Sequence, residues 1–372
     1  MHHPWPTRSP ALAKIGGSCR EFPTPHARSV LPLLHTVAKM PEPIPLETEH
    51  GLYLPDLELW LDSRRSRENG FVSHAHADHF GRHQNILCSE ATAHILKARF
   101  NVAEERLNPH PFHTPLEVGP FRLQLLPAGH IFGSAMLHVT RKADGASLLY
   151  TADFKVRRSL TAGDPVFRRA DTLVMETTFG KPEWVFPSEN EVTGQILNFI
   201  NECFEAGEIP ALLAYSLGKS QEALALLHQA KISAVLHKTV TQMTTACREA
   251  GCELPAAVPF EGTVPPRHVL ICPPNVIRNQ EYKALPKLRT AMLTGWALDK
   301  SAIYRFGVDA AFALSDHADF PGLLEAVKRV MPKRVLTIHG YTREFAAELR
   351  RQHYDAWSIE GDDQTELDLP SP

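Results

Sequence analysis

Residues 71–80 read FVSHAHADHF, which places His74, His76, Asp78 and His79 directly behind an apolar pair. Imidazoles beside a carboxylate are a donor set for divalent cations. Nitrogen and oxygen ligands of this kind suit Zn²⁺ and, less selectively, Mn²⁺. His74 and His76 are two positions apart, so on extended backbone both point to one side and can reach one ion. Asp78 and His79 then face elsewhere and suit a second. A His-rich surface loop could have the same residues, but it would predict nothing about the rest of the chain.

The rest of the chain carries a pattern. Short apolar segments of period two end, one after another, on a candidate ligand or acid. FRLQLL (121–126) leads to His130, SLLYTAD (147–153) ends on Asp153, and TLVMETT (172–178) carries Glu176. VDAAFALSDHADF (308–320) carries His317, RVLTIHGYT (334–342) reaches His339, and LELWL (57–61) runs into Asp62. Strand ends are rigid and hold ligands at fixed separations. A carboxylate such as Asp153 can bridge two cations. Two cations about 3.5–4 Å apart can activate water and clamp a phosphoryl group during displacement. The expected chemistry is metal-assisted hydrolysis.

These ends must be positioned by sheets. SAMLHVT (134–140) and SLLYTAD form an expected hairpin around Asp144-Gly145. From 189 the texture changes. ENEVTGQILNFINECFEAG (189–207) puts Val192, Ile196, Phe199, Ile200 and Phe204 on one helical face. Strand and helix signals then alternate through 211–230, 234–251, 268–274 and 290–296, which implies a mostly parallel sheet covered by helices. The fold class is α/β. The expected organisation is a disordered Pro/His/Arg-rich tail (1–39), a first domain made of 40–183 and 297–372, and a smaller α/β insertion (184–296). The last stretch, SIEGDDQTELDLPSP, reads as a frayed acidic tail.

Bulk composition narrows the function. The 372 residues are 43% hydrophobic and 22% charged, with a formal net charge of −3. A nucleic-acid partner would therefore be met by a local patch, not by an overall basic surface. The six cysteines form no Cys-x-x-Cys pair, so neither a thiolate metal site nor a disulfide framework is indicated. No apolar run approaches the roughly 18 residues that span a bilayer, so a membrane partner is not expected and the cytoplasm is.

His74-Ala75-His76-Ala77-Asp78-His79 resembles the HxHxDH signature of the metallo-β-lactamase superfamily. METTFG (175–180), SDHAD (315–319) and TIHGYT (337–342) resemble motifs A, B and C of its β-CASP nucleases, and the insertion matches theirs in position, though it is short. The likeness spans roughly 45–360. GLYLPDLELWLDS, FVSHAHADH, ALSDHADFPGLL and IHGYT together are similar to bacterial ligase-associated DNA exonucleases. The resemblance implies an αββα sandwich with an inserted β-CASP domain. It further implies that His74, His76 and His130 hold one metal, that Asp78, His79 and His339 hold the other, and that Asp153 bridges. Zinc is the expected ion and manganese the alternative. His317 would be the general acid, oriented by Glu176, and Asp62 would support the ligand loop.

Gly218-Lys219-Ser220 precedes a helix, but a P-loop would need glycine where Leu213 stands. A helix N-terminus with a lysine can still bind phosphate, so Lys219 and Ser220 are candidate substrate contacts. Lys155 and Arg157, next to Asp153, are candidates for the nucleic-acid backbone. The leading function is a dinuclear, metal-dependent DNA exonuclease of DNA repair, associated with an ATP-dependent DNA ligase or helicase. RNA-processing β-CASP enzymes also have histidine at motif C, which makes a ribonuclease the alternative. A small-molecule hydrolase of the glyoxalase II kind would need neither the insertion nor His317.

Overall fold

The computed structural model describes residues 41–359. The expected tail 1–39 and nearly all of the acidic stretch at the other end lie outside the described residues.

Two sheets face one another. The first has five strands in the order Leu52–Leu54, Leu59–Leu61, Asn69–Phe71, Asn85–Ser89 and Leu107–His110. The second has seven, in the order Asp355–Ser358, Arg334–Gly340, Thr172–Thr177, Ser147–Tyr150, Ala135–Arg141, Phe121–Pro127 and Pro115–Val118. Alternation along each strand decides what it buries. Phe121, Leu123 and Leu125 point between the sheets with Leu59, Leu61, Phe71 and Leu87. Leu126, Met136, Leu149 and Met175 point the other way, onto helices Phe320–Val330 and Thr342–Arg351. Helix Glu90–Phe100 covers the far face of the first sheet, placing Ile95 and Leu96 with Ile86 and Cys88. Covering both faces explains why these strands are apolar on both sides. This is the αββα sandwich. Among the described residues, no helix is long and apolar enough to cross a membrane.

The insertion is a separate, all-parallel sheet in the order Val258–Pro259, Ser233–Leu236, His268–Cys272, Ile209–Leu213, Leu288–Leu293 and Ala310–Phe312. Its first helix, Glu189–Glu205, is started by Ser188. The Ser188 hydroxyl accepts from the Glu191 amide, and the Glu191 carboxylate accepts from the Ser188 amide, a reciprocal cap. The sheet takes in a strand beyond the expected boundary at 296. Ala310–Phe312 hydrogen-bonds to Leu288–Leu293 as the sixth strand, and Phe312 packs on Phe199 with ring centroids 5.7 Å apart. Strand pairing, not the local change of texture at Trp296, decides where the unit closes.

One irregularity positions a site residue. Arg334–Gly340 runs parallel to Thr172–Thr177, but Glu176 pairs with Ile338 and Thr177 with Gly340. His339 is the extra residue, at φ +54°, and such a bulge turns a side chain out of the ladder. Gly340 follows at φ +78°, where a Cβ would lie 2.5 Å from Thr178 Cα. Gly340→Ala should therefore lower unfolding free energy by more than about 1 kcal/mol in a urea titration. An unchanged midpoint would show that the bulge relaxes without strain.

Candidate metal centre

The loops at one end of the sandwich bring His74, His76, His79, His130, Asp153 and His317 together. Their donor atoms form three overlapping groups, His74/His76/His130, His74/His79/Asp153 and His130/Asp153/His317, each within 4.8 Å. Asp78 and His339 stand at the rim. The Asp78 side chain is 61% exposed, with Oδ2 3.7 Å from His79 Nε2. The His339 ring centroid is 5.9 Å from that of His79. A cavity of about 790 Å³ opens beside them, lined in part by Asp62, Arg65, Asp78, His79 and His339.

Hydrogen bonds fix the tautomers. His76 Nε2 lies 3.1 Å from the Leu217 carbonyl, and His130 Nδ1 lies 2.9 Å from the Asp316 carbonyl. A carbonyl only accepts, so both nitrogens carry their hydrogen. The Ser73 hydroxyl donates to Asp62 Oδ2 at 2.6 Å, so its oxygen is left to accept from His74 Nδ1 at 2.9 Å. The remaining nitrogens face inward. His76 Nδ1 is 3.0 Å from His74 Nε2 and 3.2 Å from His130 Nε2. In neutral rings these are lone pairs aimed at one another, which no proton arrangement satisfies and a cation does. Extra protons are disfavoured as well. Burial, reinforced by the neighbouring imidazoles, pushes His76 down to about 3 and His130 down to about 4, and holds His74 well below its ordinary value. The residues present fit a divalent cation.

Asp62 braces the same loop. Its carboxylate accepts from the Ser73 amide at 2.7 Å, the Ser73 hydroxyl, His79 Nδ1 at 3.0 Å and the Tyr150 hydroxyl at 2.8 Å. His79 Nε2 is thereby turned to Asp153, 3.1 Å away. Burial opposes a charge on His79, but the Asp153 and Asp62 carboxylates outweigh it and hold its pKa well above the usual value. Ser73 and Tyr150 were not singled out from sequence. Tyr150 left one trace, a hydroxyl-bearing ring in an apolar strand just before Asp153.

His317 differs from the other imidazoles. Its Nδ1 is 2.9 Å from Glu176 Oε1, and its ring centroid is 4.7 Å from that of His130. Burial opposes protonation, yet Glu176 and Asp153 push its pKa up to about 10. Glu176 is fully buried and also accepts from the Phe154 amide at 2.9 Å.

The four expected phosphate contacts all have partners within the protein. Lys219 Nζ is 2.8 Å from Asp316 Oδ1, and Lys155 Nζ is 2.8 Å from Glu222 Oε1. All four residues are buried. The Ser220 hydroxyl donates to the Tyr215 carbonyl at 2.6 Å. Arg157 donates to the carbonyls of Phe186 and Pro187 and pairs with Asp319 at 2.7 Å. To bind a phosphate these groups would first have to break internal bonds, and stranding a buried charge is strongly unfavourable. The Lys155, Lys219 and Arg157 contacts link the insertion to the sandwich, while the Ser220 bond lies within the insertion. Nothing in the local sequence separates the two uses of such a lysine, because Asp316 lies far along the chain and Glu222 faces across the domain junction.

No family model matches the sequence. Among curated relatives, a probable DNA ligase of Opitutus terrae is 43% identical over 330 residues, covering 88% of this chain and 32% of that protein. The DNA cross-link repair 1A protein of Mus musculus is 32% identical over 166 residues, 42% of this chain and 16% of its own length. An RNase J-like protein of Methanocaldococcus jannaschii is 25% identical over 215 residues, 50% of this chain and 51% of its own. The chain belongs to the β-CASP family of the metallo-β-lactamase superfamily. It spans about a third of the Opitutus relative and less of the mouse one. For this β-CASP protein the facing imidazoles lead to the expectation that stability depends on a bound cation. Treatment with a chelator should lower the melting temperature by at least about 2 °C, zinc should restore it, and His130→Ala should narrow the difference. A melting temperature indifferent to the chelator would show that the cluster needs no cation.

Proposed function

We propose that this chain is a dinuclear metal-dependent nuclease, a DNA exonuclease that prepares ends for a DNA ligase during repair. The observation that carries the reading is one cleft holding two unlike groups: imidazoles that face one another as lone pairs, and His317 with its Nδ1 2.9 Å from the buried Glu176 carboxylate. His74, His76 and His130 would hold one cation and Asp78, His79 and His339 the other, with Asp153 between them. Zinc suits this nitrogen-rich set, and manganese is also compatible. Divalent cations bound there would neutralise the phosphate and make the attacking water more acidic.

The chain's own residues supply the leaving-group proton. His317 Nδ1 donates to Glu176, which leaves Nε2–H for the departing O3′ or O5′. An alkoxide leaves poorly without a proton, and general acid catalysis of this kind is worth about 10²–10⁴ in rate. Glu176 cannot rotate freely, because the Phe154 amide also holds it, so it fixes the ring as well as its charge.

The similarity to a probable DNA ligase and to a DNA cross-link repair protein supports DNA over RNA. A segment like this chain occupies about a third of the Opitutus ligase, which supports action beside a ligase. The RNase J-like relative and the histidine at 339 support a second reading, an RNA-processing nuclease. The substrate test compares linear single-stranded DNA, a circle of equal composition, and RNA. The linear strand should be degraded fastest, and all rates should fall as salt rises. Equal rates on circle and line would remove the exonuclease assignment, and a marked preference for RNA would select the second reading.

The acid has its own test. His317→Ala should keep its metal content and lose about 10²–10⁴ in turnover of DNA, but lose much less on a p-nitrophenyl ester, whose leaving group needs little protonation. Glu176→Gln removes the largest influence that raises the His317 pKa, so activity should be lost at a lower pH as the solution is made alkaline. Equal losses on both substrates, or an unmoved alkaline limb, would exclude His317 as the acid.

A further inference from the structure

The turn 215–218 and the start of helix Lys219–Gln229 belong to the insertion, yet their contacts reach the imidazole cluster of the sandwich. The Leu217 carbonyl accepts from His76 Nε2 at 3.1 Å. Lys219 Nζ pairs with Asp316 Oδ1 at 2.8 Å, and the carbonyl of the same Asp316 accepts from His130 Nδ1 at 2.9 Å. Gly218, at φ +92°, lies so close to His130's neighbour that a Cβ would come 2.3 Å from Ile131 Cγ2. The ion pair is an expensive way to fill this space. Lys219 and Asp316 are only 4% and 3% exposed, and a buried pair seldom stabilises a fold more than well-packed apolar residues would. Its presence calls for a role in specifying geometry.

We propose that this turn is the outer shell of the metal centre. Through Leu217 and Lys219 the insertion sets the tautomer and aim of His76 and His130, and thereby the cation affinity of the His74/His76/His130 position. Lys219 is a positioning residue that acts through Asp316. The proposal rests on the reading of the cluster as a metal site. An imidazole whose second nitrogen is held by a carbonyl presents its lone pair in one direction, and loss of such a partner typically weakens metal binding about 10–100-fold. The lysine has a second effect. Asp316 Oδ1 is 4.0 Å from His317 Nε2, so a carboxylate released from Lys219 could swing toward the acid or the cations and compete as a wrong ligand. His79 is braced differently, by Asp62 of the sandwich. The two cation positions should therefore respond unequally.

The test is zinc titration of the full chain against a competing chelator, with cobalt substitution to follow each position by its absorption bands. Lys219→Met should weaken one zinc by about 10–100-fold and leave the other near its wild-type affinity. Lys219→Arg, which keeps a cation on Asp316, should recover most of the loss. Lys219→Gln removes the charge and ends one bond shorter, and if the methionine variant does not fold it should weaken the same zinc. A merely structural lysine would lower stability without selecting one zinc. If Lys219→Met binds both zincs as wild type does, or loses only affinity for single-stranded DNA, the proposal is overturned and the lysine returns to phosphate contact. Wild-type protein that takes up no zinc would overturn the metal reading itself, and this proposal with it.

Discussion

The lone pairs of His74, His76 and His130 converge, and each ring is aimed by a bond from its other nitrogen to a different part of the chain. Ser73 holds the first, the carbonyl of Leu217 the second and the carbonyl of Asp316 the third. Such a cluster is unfavourable by itself, because buried neutral imidazoles are left with acceptors facing acceptors. It persists only where surrounding structure holds it and a cation completes it. Much of the architecture near this end of the sandwich can be read as that support.

The sheet order supplies the rest of the centre. Arg334–Gly340, Thr172–Thr177 and Ser147–Tyr150 are neighbouring parallel strands. Parallel strands finish at the same edge, so the groups at or just beyond their C-terminal ends, His339, Glu176 and Asp153, arrive side by side. Three residues distant in sequence need no special loop to meet. The bulge at His339 adds the one adjustment that the ladder alone would not give, turning that ring toward His79.

Charge placement separates two chemistries within a few ångströms. Where His74, His76 and His130 crowd one another, burial disfavours their protonated forms. Where a buried carboxylate sits behind the ring, as Glu176 does behind His317, the balance reverses and the proton stays. The same residue type thus meets two settings here: the far nitrogens of His74, His76 and His130 meet a hydroxyl or a carbonyl, whereas those of His79 and His317 meet a carboxylate that favours the proton. The insertion contributes to both. Its turn orients His76 directly, and its lysine restrains Asp316, which contacts the His130 loop and borders His317.

Residue types and hydrophobic periods can be read directly from the chain. HxHxDH, the strand-end acids and histidines, and the alternation from 189 onward were legible because ligand chemistry and hydrophobic period are local properties. They were enough for the sandwich and for the presence of an inserted α/β unit. The partners of Lys155, Arg157, Lys219 and Ser220 appear only once the chain is folded. A lysine beside a glycine turn looks the same in sequence whether it meets a phosphate or a buried aspartate, and the partner that settles the matter comes from a distant segment. The reach of the insertion to Phe312, the bulge at His339 and the support given by Tyr150 were undecided for the same reason. Each depends on which strand or carboxylate lies across the gap, and that is fixed by packing, not by the residues on either side in the chain.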